Sequence, residues 1–352
     1  MKTKDQLVIK ITAFLGIFCF LFSYFSTIFN PYSHRDVPMI ARFDSFYDQP
    51  ENSIDVLYLG ASSLYMGIIP LDIWEKHGFT GFVRATAIQA PVVSYYYLVE
   101  TLKYQSPNVV VIETNSIFNK YQVDEEESSL RRSIDPMRFS NEKLQLIVEV
   151  TSKSERQTIA SYIFPLLRYH SRWDELTRNN FEKSANEIID PNKGYYGLYF
   201  NTSSVNFPQD FMQPADKAKN LSKDSLNYYE KMIQLCQENN IQVVLITMPR
   251  TNWDYPMHLG IQQLADKYNL QYVDYCLDEN MEIIDLDTNT DFADDIHLNT
   301  LGAKKVSHHL GGFLQDMYHL ADKRNDPAYQ QWNIDLLAFK DIFTEGAASV
   351  AE

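Results

Sequence analysis

Three short stretches of the chain carry side chains that could act together on an acyl group. Residues 291–300 read DFADDIHLNT, with Asp294 three residues ahead of His297. At that spacing a carboxylate can accept a hydrogen bond from the imidazole Nδ1–H, which fixes the tautomer and leaves Nε2 as a general base. Residues 60–63 read GASS. The glycine permits a tight turn that presents Ser62 at the start of a helix, where backbone N–H groups lack a helical acceptor and can hold an oxyanion. Residues 113–115 read ETN, and the Asn115 amide can donate to a developing negative charge. Each stretch also has an ordinary explanation: serine caps helices, asparagine is common in turns, and acids are common in a helix's first turn. Together, in this order, they describe a nucleophile, an oxyanion donor and an oriented base.

Such residues need a scaffold that gathers them. The runs at 55–60 (DVLYLG), 108–114 (NVVVIET) and 241–248 (IQVVLITM) are continuously apolar, the pattern of strands covered on both faces in a parallel sheet. Weaker strand patterns occupy 82–88 and 270–275. Helical patterns at 93–104, 223–239, 256–269 and 300–319 lie between and after them, so the fold class is α/β with right-handed crossovers. Ligands bind at the carboxyl ends of the strands in such a sheet, which is where Ser62 and Asn115 fall. Arg250, two residues past the run at 241–248, falls at the same edge and is a candidate substrate contact.

The rhythm breaks between 118 and 221, an interval too long for a structureless loop, so an insertion with its own helices is expected there, including a helical run over 142–168. Its segment YHSRW (169–173) offers Arg172 and Trp173, which could hold a sugar or an anionic group or simply end a helix packed on the domain. His308 and His309 are adjacent in a helix and point about 100° apart, so they read as structural.

Residues 11–29, ITAFLGIFCFLFSYFSTIF, are 19 residues without a charge. As a helix they rise about 28 Å, which matches the bilayer's hydrocarbon core. Lys2, Lys4 and Lys10 precede the run and a nearly neutral flank follows it, so residues 1–10 are expected in the cytoplasm and the rest of the chain outside. A cleaved signal peptide fits less well, because the run is long and no small-x-small pair follows it. The expected organisation is a single-pass anchor at 11–29, a linker at 30–52 with three prolines, a main domain at 53–320 and an extension at 321–352 whose polar end, 344–352, reads as disordered.

The 352 residues are 45% hydrophobic and 22% charged, which excludes a disordered or fibrous chain. With 31 Lys and Arg against 46 Asp and Glu, the net charge of -15 repels phosphate backbones, so nucleic acid is not an expected partner. Cys19, Cys236 and Cys276 form no paired motif, although a Cys236–Cys276 bridge stays open. No HxH, HExxH or clustered carboxylate–histidine set appears, and neither a metal nor a cofactor is expected.

On Gly60-Ala61-Ser62, Asn115 and the Asp294–His297 block, the sequence resembles the SGNH (GDSL) hydrolase superfamily over residues 55–320. It looks closest to membrane-anchored bacterial members that modify the cell envelope, the proteins of teichoic-acid D-alanyl transfer and polysaccharide O-acetylation. The segments at 89–100, 131–140 and 169–173 look like parts of that subgroup too. The resemblance implies a flavodoxin-like three-layer α/β/α fold, with Ser62 as nucleophile, His297 as general base and Asp294 as its orienter. Asn115, the Ser62 N–H and the N–H of Ala87 would form the oxyanion hole, with Ala85 or Ala87 in the region where the family has a glycine. It implies an esterase or O-acyltransferase on an envelope glycan or teichoic-acid-like polymer, with a multispanning membrane acyltransferase as a partner. The departure at the glycine also leaves open a catalytically silent scaffold or glycan-binding protein.

Overall fold

The computed structural model describes residues 2–32, 38–181, 190–197 and 202–350. In chain order the elements are α1 (Lys2–Phe29), α2 (Pro38–Asp44), β1 (Val56–Gly60), α3 (Ser62–Gly67), α4 (Pro70–His77), β2 (Gly81–Ala85), α5 (Pro91–Thr101) and β3 (Val109–Glu113). The helices α6 (Glu127–Ile134), α7 (Asn141–Thr151), α8 (Ile159–Ile163) and α9 (Leu166–Tyr169) come next. Then follow α10 (Lys223–Glu238), β4 (Gln242–Thr247), α11 (Tyr255–Tyr268), β5 (Gln271–Asp274), α12 (Asp278–Ile283), β6 (Phe292–Asp294), β7 (His297–Leu298), α13 (Thr300–Tyr318) and α14 (Gln330–Val350). They form two units, Met1–Ala41 with Val123–Ile188, and Arg42–Gln122 with Ile189–Glu352.

The larger unit is built on a parallel sheet of order β2-β1-β3-β4-β5, the flavodoxin-like order. The continuous apolar runs follow from burial on both faces. Val56, Tyr58, Val109, Val111, Val244 and Ile246 point to the side where Leu310 and Leu314 of α13 pack, along with Leu64 and Ile73. Leu57, Leu59, Val110 and Ile112 alternate to the other side and are equally buried. There α5 packs on β1 and α10 on β4. Asn299 caps α13 by accepting from the N–H groups of Leu301 and Gly302.

The stretch read as a linker at 30–52 is in large part structured. It contains α2, and Phe46, 1% exposed, stacks edge-on against Phe82 of the sheet's edge strand and under the Arg84 guanidinium, 4.0 Å from the ring centroid. Arg84 is itself buried and ion-paired with Glu100 at 2.7 Å. The physical reason is that β2 is an edge strand carrying a buried charge, which needs cover. Part of the same strand is paired by the returning segment after the insertion, where Val83 N donates to Lys193 O at 3.0 Å. Gly194 makes this possible: its φ is +87°, and a Cβ there would stand 2.0 Å from the Val83 carbonyl. Residues 33–37 of the expected linker lie outside the described residues.

In the smaller unit the expected helical run over 142–168 is broken into α7, α8 and α9. Asp124 causes the first break: its carboxylate accepts from Ser154 Oγ and from the Glu155 N–H at 2.9 Å, and Ser154 Oγ in turn accepts the Gln157 N–H at 2.7 Å. These side-chain bonds offer the backbone an alternative to the helix. Residues 182–189 and 198–201 of the expected insertion lie outside the described residues. The end read as disordered is helical instead: α14 runs to Val350, and its earlier part buries Trp332 and Phe339 against Trp74 and Tyr195. Apolar residues at helical spacing there outweighed the polar tail in deciding the structure. Cys236 and Cys276 are buried free thiols.

Candidate active site

Strand β1 stops at Gly60, the chain turns at Ala61, and α3 opens with Ser62. Its neighbour β3 stops at Glu113, and Asn115 opens the next turn. The pair stands where the strand order reverses, since the chain leaves β1 for β2 on one side and returns to β3 on the other. Open α/β sheets form their ligand crevice at that point.

The third element is the antiparallel hairpin β6–β7, which the sequence pattern missed because its strands are only two or three residues long. It sets Asp294 directly opposite His297. The Asp294 carboxylate closes the turn by accepting the N–H groups of Ile296 and His297 at 2.9 and 3.0 Å. It also meets His297 Nδ1 at 2.8 Å through Oδ2 and 3.0 Å through Oδ1. Strand β7 packs on α3, and His297 Nε2 lies 2.7 Å from Ser62 Oγ. With Nδ1–H held by the carboxylate, Nε2 accepts and the Ser62 hydroxyl donates. Residues 62, 294 and 297 thus form one hydrogen-bonded chain.

Beneath this chain lies a carboxylate that the motif search had not singled out. Glu113 is 2% exposed; its Oε2 accepts the Ala61 N–H at 2.6 Å, and its Oε1 accepts from Ser63 Oγ. Asn115 Nδ2 donates to Glu113 Oε1 at 2.7 Å and to Ser63 Oγ at 2.9 Å. Gly60 is required here, since a Cβ at that position would stand 2.5 Å from Glu113 Oε2. An acid closing a run as apolar as NVVVIE was the available signal, because so buried a carboxylate needs donors close by.

The expected oxyanion hole therefore has a different geometry in part. Asn115 is at the predicted edge, but its amide N–H groups are engaged by Ser63 and Glu113, while its Oδ1 is buried without a hydrogen-bond partner among the described residues. Ala87 sits in the turn after β2, followed by Ile88 at φ +55° and 59% exposed. A left-handed β-branched residue is strained, and the strain sits beside the position where the resemblance calls for glycine.

Electrostatics separate the two carboxylates. Burial pushes Asp294 up, but hydrogen bonds from the His297 side chain and from the Ile296 and His297 N–H groups outweigh it, leaving Asp294 below its ordinary value. Burial pushes Glu113 up, against the donors at Ala61 and Ser63. Arg250 stands at the site, lowered by burial and opposed by the negative charges of Glu113 and Asp294. Its loop is held by Thr251 N donating to Asp295 O at 2.9 Å, and by Trp253 Nε1 donating to the buried Asp274 at 3.1 Å. Arg172 and Trp173 belong to the smaller unit, where Arg172 donates to the Phe29 carbonyl at 2.7 Å and pairs with Glu175 at 2.6 Å, and Trp173 is exposed.

No protein-family model matches the chain. No curated protein matches it either. Among solved structures the chain is similar to a Bacteroides fragilis protein provisionally named an acylhydrolase, at 13% identity and a TM-score of 0.38, covering 78% of this chain and 95% of that one.

Proposed function

We propose that the chain is a membrane-anchored serine esterase or O-acyltransferase of the SGNH type, acting on acyl esters of a cell-envelope polysaccharide or teichoic-acid-like polymer. One observation carries the chemistry: the unbroken hydrogen-bonded path from Ser62 Oγ through His297 to Asp294. In the first step Ser62 Oγ attacks the acyl carbonyl and its proton passes to His297 Nε2. As the tetrahedral intermediate collapses, the bond to the leaving oxygen breaks and His297 returns the proton to it, leaving an acyl-serine. In the second step His297 takes a proton from water or from a sugar hydroxyl, whose oxygen attacks the acyl-serine; the acyl bond to Ser62 Oγ then breaks and His297 returns the proton to that oxygen, so water completes hydrolysis and the hydroxyl completes transfer. Asp294 stays ionised throughout and stabilises the imidazolium. The first-turn N–H groups of α3 face the developing oxyanion, and Arg250 supplies positive charge at the rim.

The location rests on α1, an N-terminal helix long and apolar enough to cross a membrane. With its lysines at the start, the helix would leave the larger unit outside the cytoplasm, where envelope polymers are. A multispanning acyltransferase that passes acyl groups across the bilayer would complete a transfer system. The engaged Asn115 amide favours a second reading, a silent scaffold that binds glycan without turnover.

Labelling of the full chain in native membranes with a fluorophosphonate probe separates the two. Labelling that disappears in Ser62→Ala, with turnover of an acetyl ester, supports the enzyme. A folded chain that neither labels nor turns over supports the scaffold.

A further inference from the structure

The smaller unit holds two contacts that give its insertion a depth along α1. Phe164, just after α8, meets Phe22 edge-on with ring centroids 5.4 Å apart. Arg172 donates to the carbonyl of Phe29, the last residue of α1, and Tyr169 packs on Tyr32 just beyond it. Seven residues of helix separate Phe22 from Phe29, about 10 Å along the axis. The segment from Phe164 to Arg172 therefore climbs alongside α1 from Phe22 to its end.

Two registers of α1 in a bilayer are reasonable. If residues 11–29 fill the hydrocarbon, Phe22 lies about 10 Å below the outer boundary. If the exposed tract at 7–25 fills it, with Lys10 reaching back to the interface, Phe22 lies about 5 Å below. Phe164 is inside the hydrocarbon in both. Its surroundings suit that medium: Ile159, Phe164 and Leu167 are 42%, 45% and 50% exposed. Water would penalise such a cluster, while acyl chains would not. Trp173 is 73% exposed on the turn whose Arg172 reaches the end of α1, the level at which tryptophan anchors proteins to headgroups. A groove of about 480 Å³ runs between the two parts, lined by Phe18, Cys19, Phe22 and Ser23 of α1 and by Ile163 and Phe164.

We infer that the α8–α9 segment is seated in the outer leaflet beside α1, with lipid acyl chains filling this groove and Trp173 at the headgroups. The inference rests on the proposal that α1 spans a bilayer. It makes the anchor a two-part device, a spanning helix braced by an interfacial hairpin of the kind that buries its apolar face 5–10 Å deep, by about the same measure.

The test uses the full chain with Cys19→Ser, a bimane label at one introduced cysteine (Phe164→Cys, Leu167→Cys or Phe18→Cys), and phosphatidylcholine vesicles. Quenching by lipids carrying a nitroxide near the carbonyls is compared with quenching by an aqueous ion. Leu167→Cys repeats the measurement without removing the contact with Phe22. Labels at 164 and 167 are expected to respond to the lipid quencher and to be shielded from the aqueous one. Lipid quenching at 18 with aqueous quenching at 164 and 167 would overturn the inference and leave the span standing. Aqueous quenching at all three would remove the span and the inference with it. A label at 164 and 167 reached by neither quencher would mean that protein covers the groove, which also overturns it.

Discussion

The Glu113 carboxylate accepts the Ala61 N–H at 2.6 Å, so the residue that ends one central strand holds the turn that presents Ser62 on the other. Because Ala61 immediately precedes Ser62, this bond sets where Ser62 Oγ stands relative to His297. Glu113→Ala is expected to cut ester turnover by about 10²-fold, the scale of effect for misplacing a reacting group by about 1 Å. Glu113→Gln keeps an oxygen for the Ala61 N–H and should retain more of the rate. Steady-state turnover of both variants checks this; equal loss in the two would mean that the charge matters and not the acceptor.

Ser62 and Ser63 are adjacent but have separate partners, His297 and Glu113. Ser62→Ala and His297→Ala should each abolish turnover and probe labelling without lowering Tm. Asp294→Asn should lose about 10⁴-fold, since an amide can hold the wrong imidazole tautomer. Ser63→Ala should keep activity within about 10-fold while losing about 1–2 kcal/mol of stability, because it leaves buried polar groups with fewer partners. If Ser63→Ala is dead and Ser62→Ala turns over, the nucleophile is one residue further on.

How far this arrangement was legible in the sequence depends on the range over which each signal acts. The three central strands β1, β3 and β4 announced themselves because burial on both faces forces continuous apolar runs such as VLYLG and VVVIE, while the outer strands β2 and β5 left weaker patterns. The hydrogen bonding of Asp294 with His297 was legible from their local spacing, and the position of Ser62 from its place after a strand. Glu113 showed only as an acid closing an apolar run, and its role was hidden because the donors at Ala61 and Ser63 lie about fifty residues away in sequence. The engagement of Asn115 by Ser63 was hidden for the same reason, as was the cover that Phe46 gives Arg84 from a stretch that reads as linker. Helix breaks caused by a distant side chain, as Asp124 causes at Ser154, leave no periodic trace.

Asp72, on the inner face of α4, is 2% exposed, and its Oδ2 has no hydrogen-bond partner among the described residues. Burial pushes its pKa up to about 6, with the nearby Lys304 pulling the other way. A raised carboxyl binds its proton more tightly in the folded state than in the unfolded one. Its contribution to stability is therefore greatest near pH 4, lost as pH rises to about 6, and constant above that. Asp72→Asn should remove this loss, raising stability at pH 7 by up to about 3 kcal/mol. Denaturant midpoints measured from pH 4 to pH 8 check it: the gain should be present at pH 7 and absent at pH 4. A gain of equal size at both ends would attribute the effect to packing.

Gly60 and Glu113 should fail together. A Cβ on residue 60 would stand 2.5 Å from Glu113 Oε2, 2.6 Å from Glu113 Cβ and 2.9 Å from Leu64 Cδ2, and both neighbours are fixed by burial. Gly60→Ala is expected to cost about 1–3 kcal/mol, the range for forcing an extra methyl into a packed core. The collision also pushes Glu113 off the Ala61 N–H, so probe labelling at Ser62 should slow along with the fall in Tm. In Glu113→Ala the carboxylate is gone but the Cβ at position 113 stays, so adding Gly60→Ala should cost less than it does alone only by the share of the collision that the Oε2 contact makes. A double-mutant cycle on denaturant midpoints reads this coupling, expected to be at least about 0.5 kcal/mol. Strict additivity would mean that the Cβ at position 113 and Leu64 exclude a side chain at position 60 and that the carboxylate takes no part.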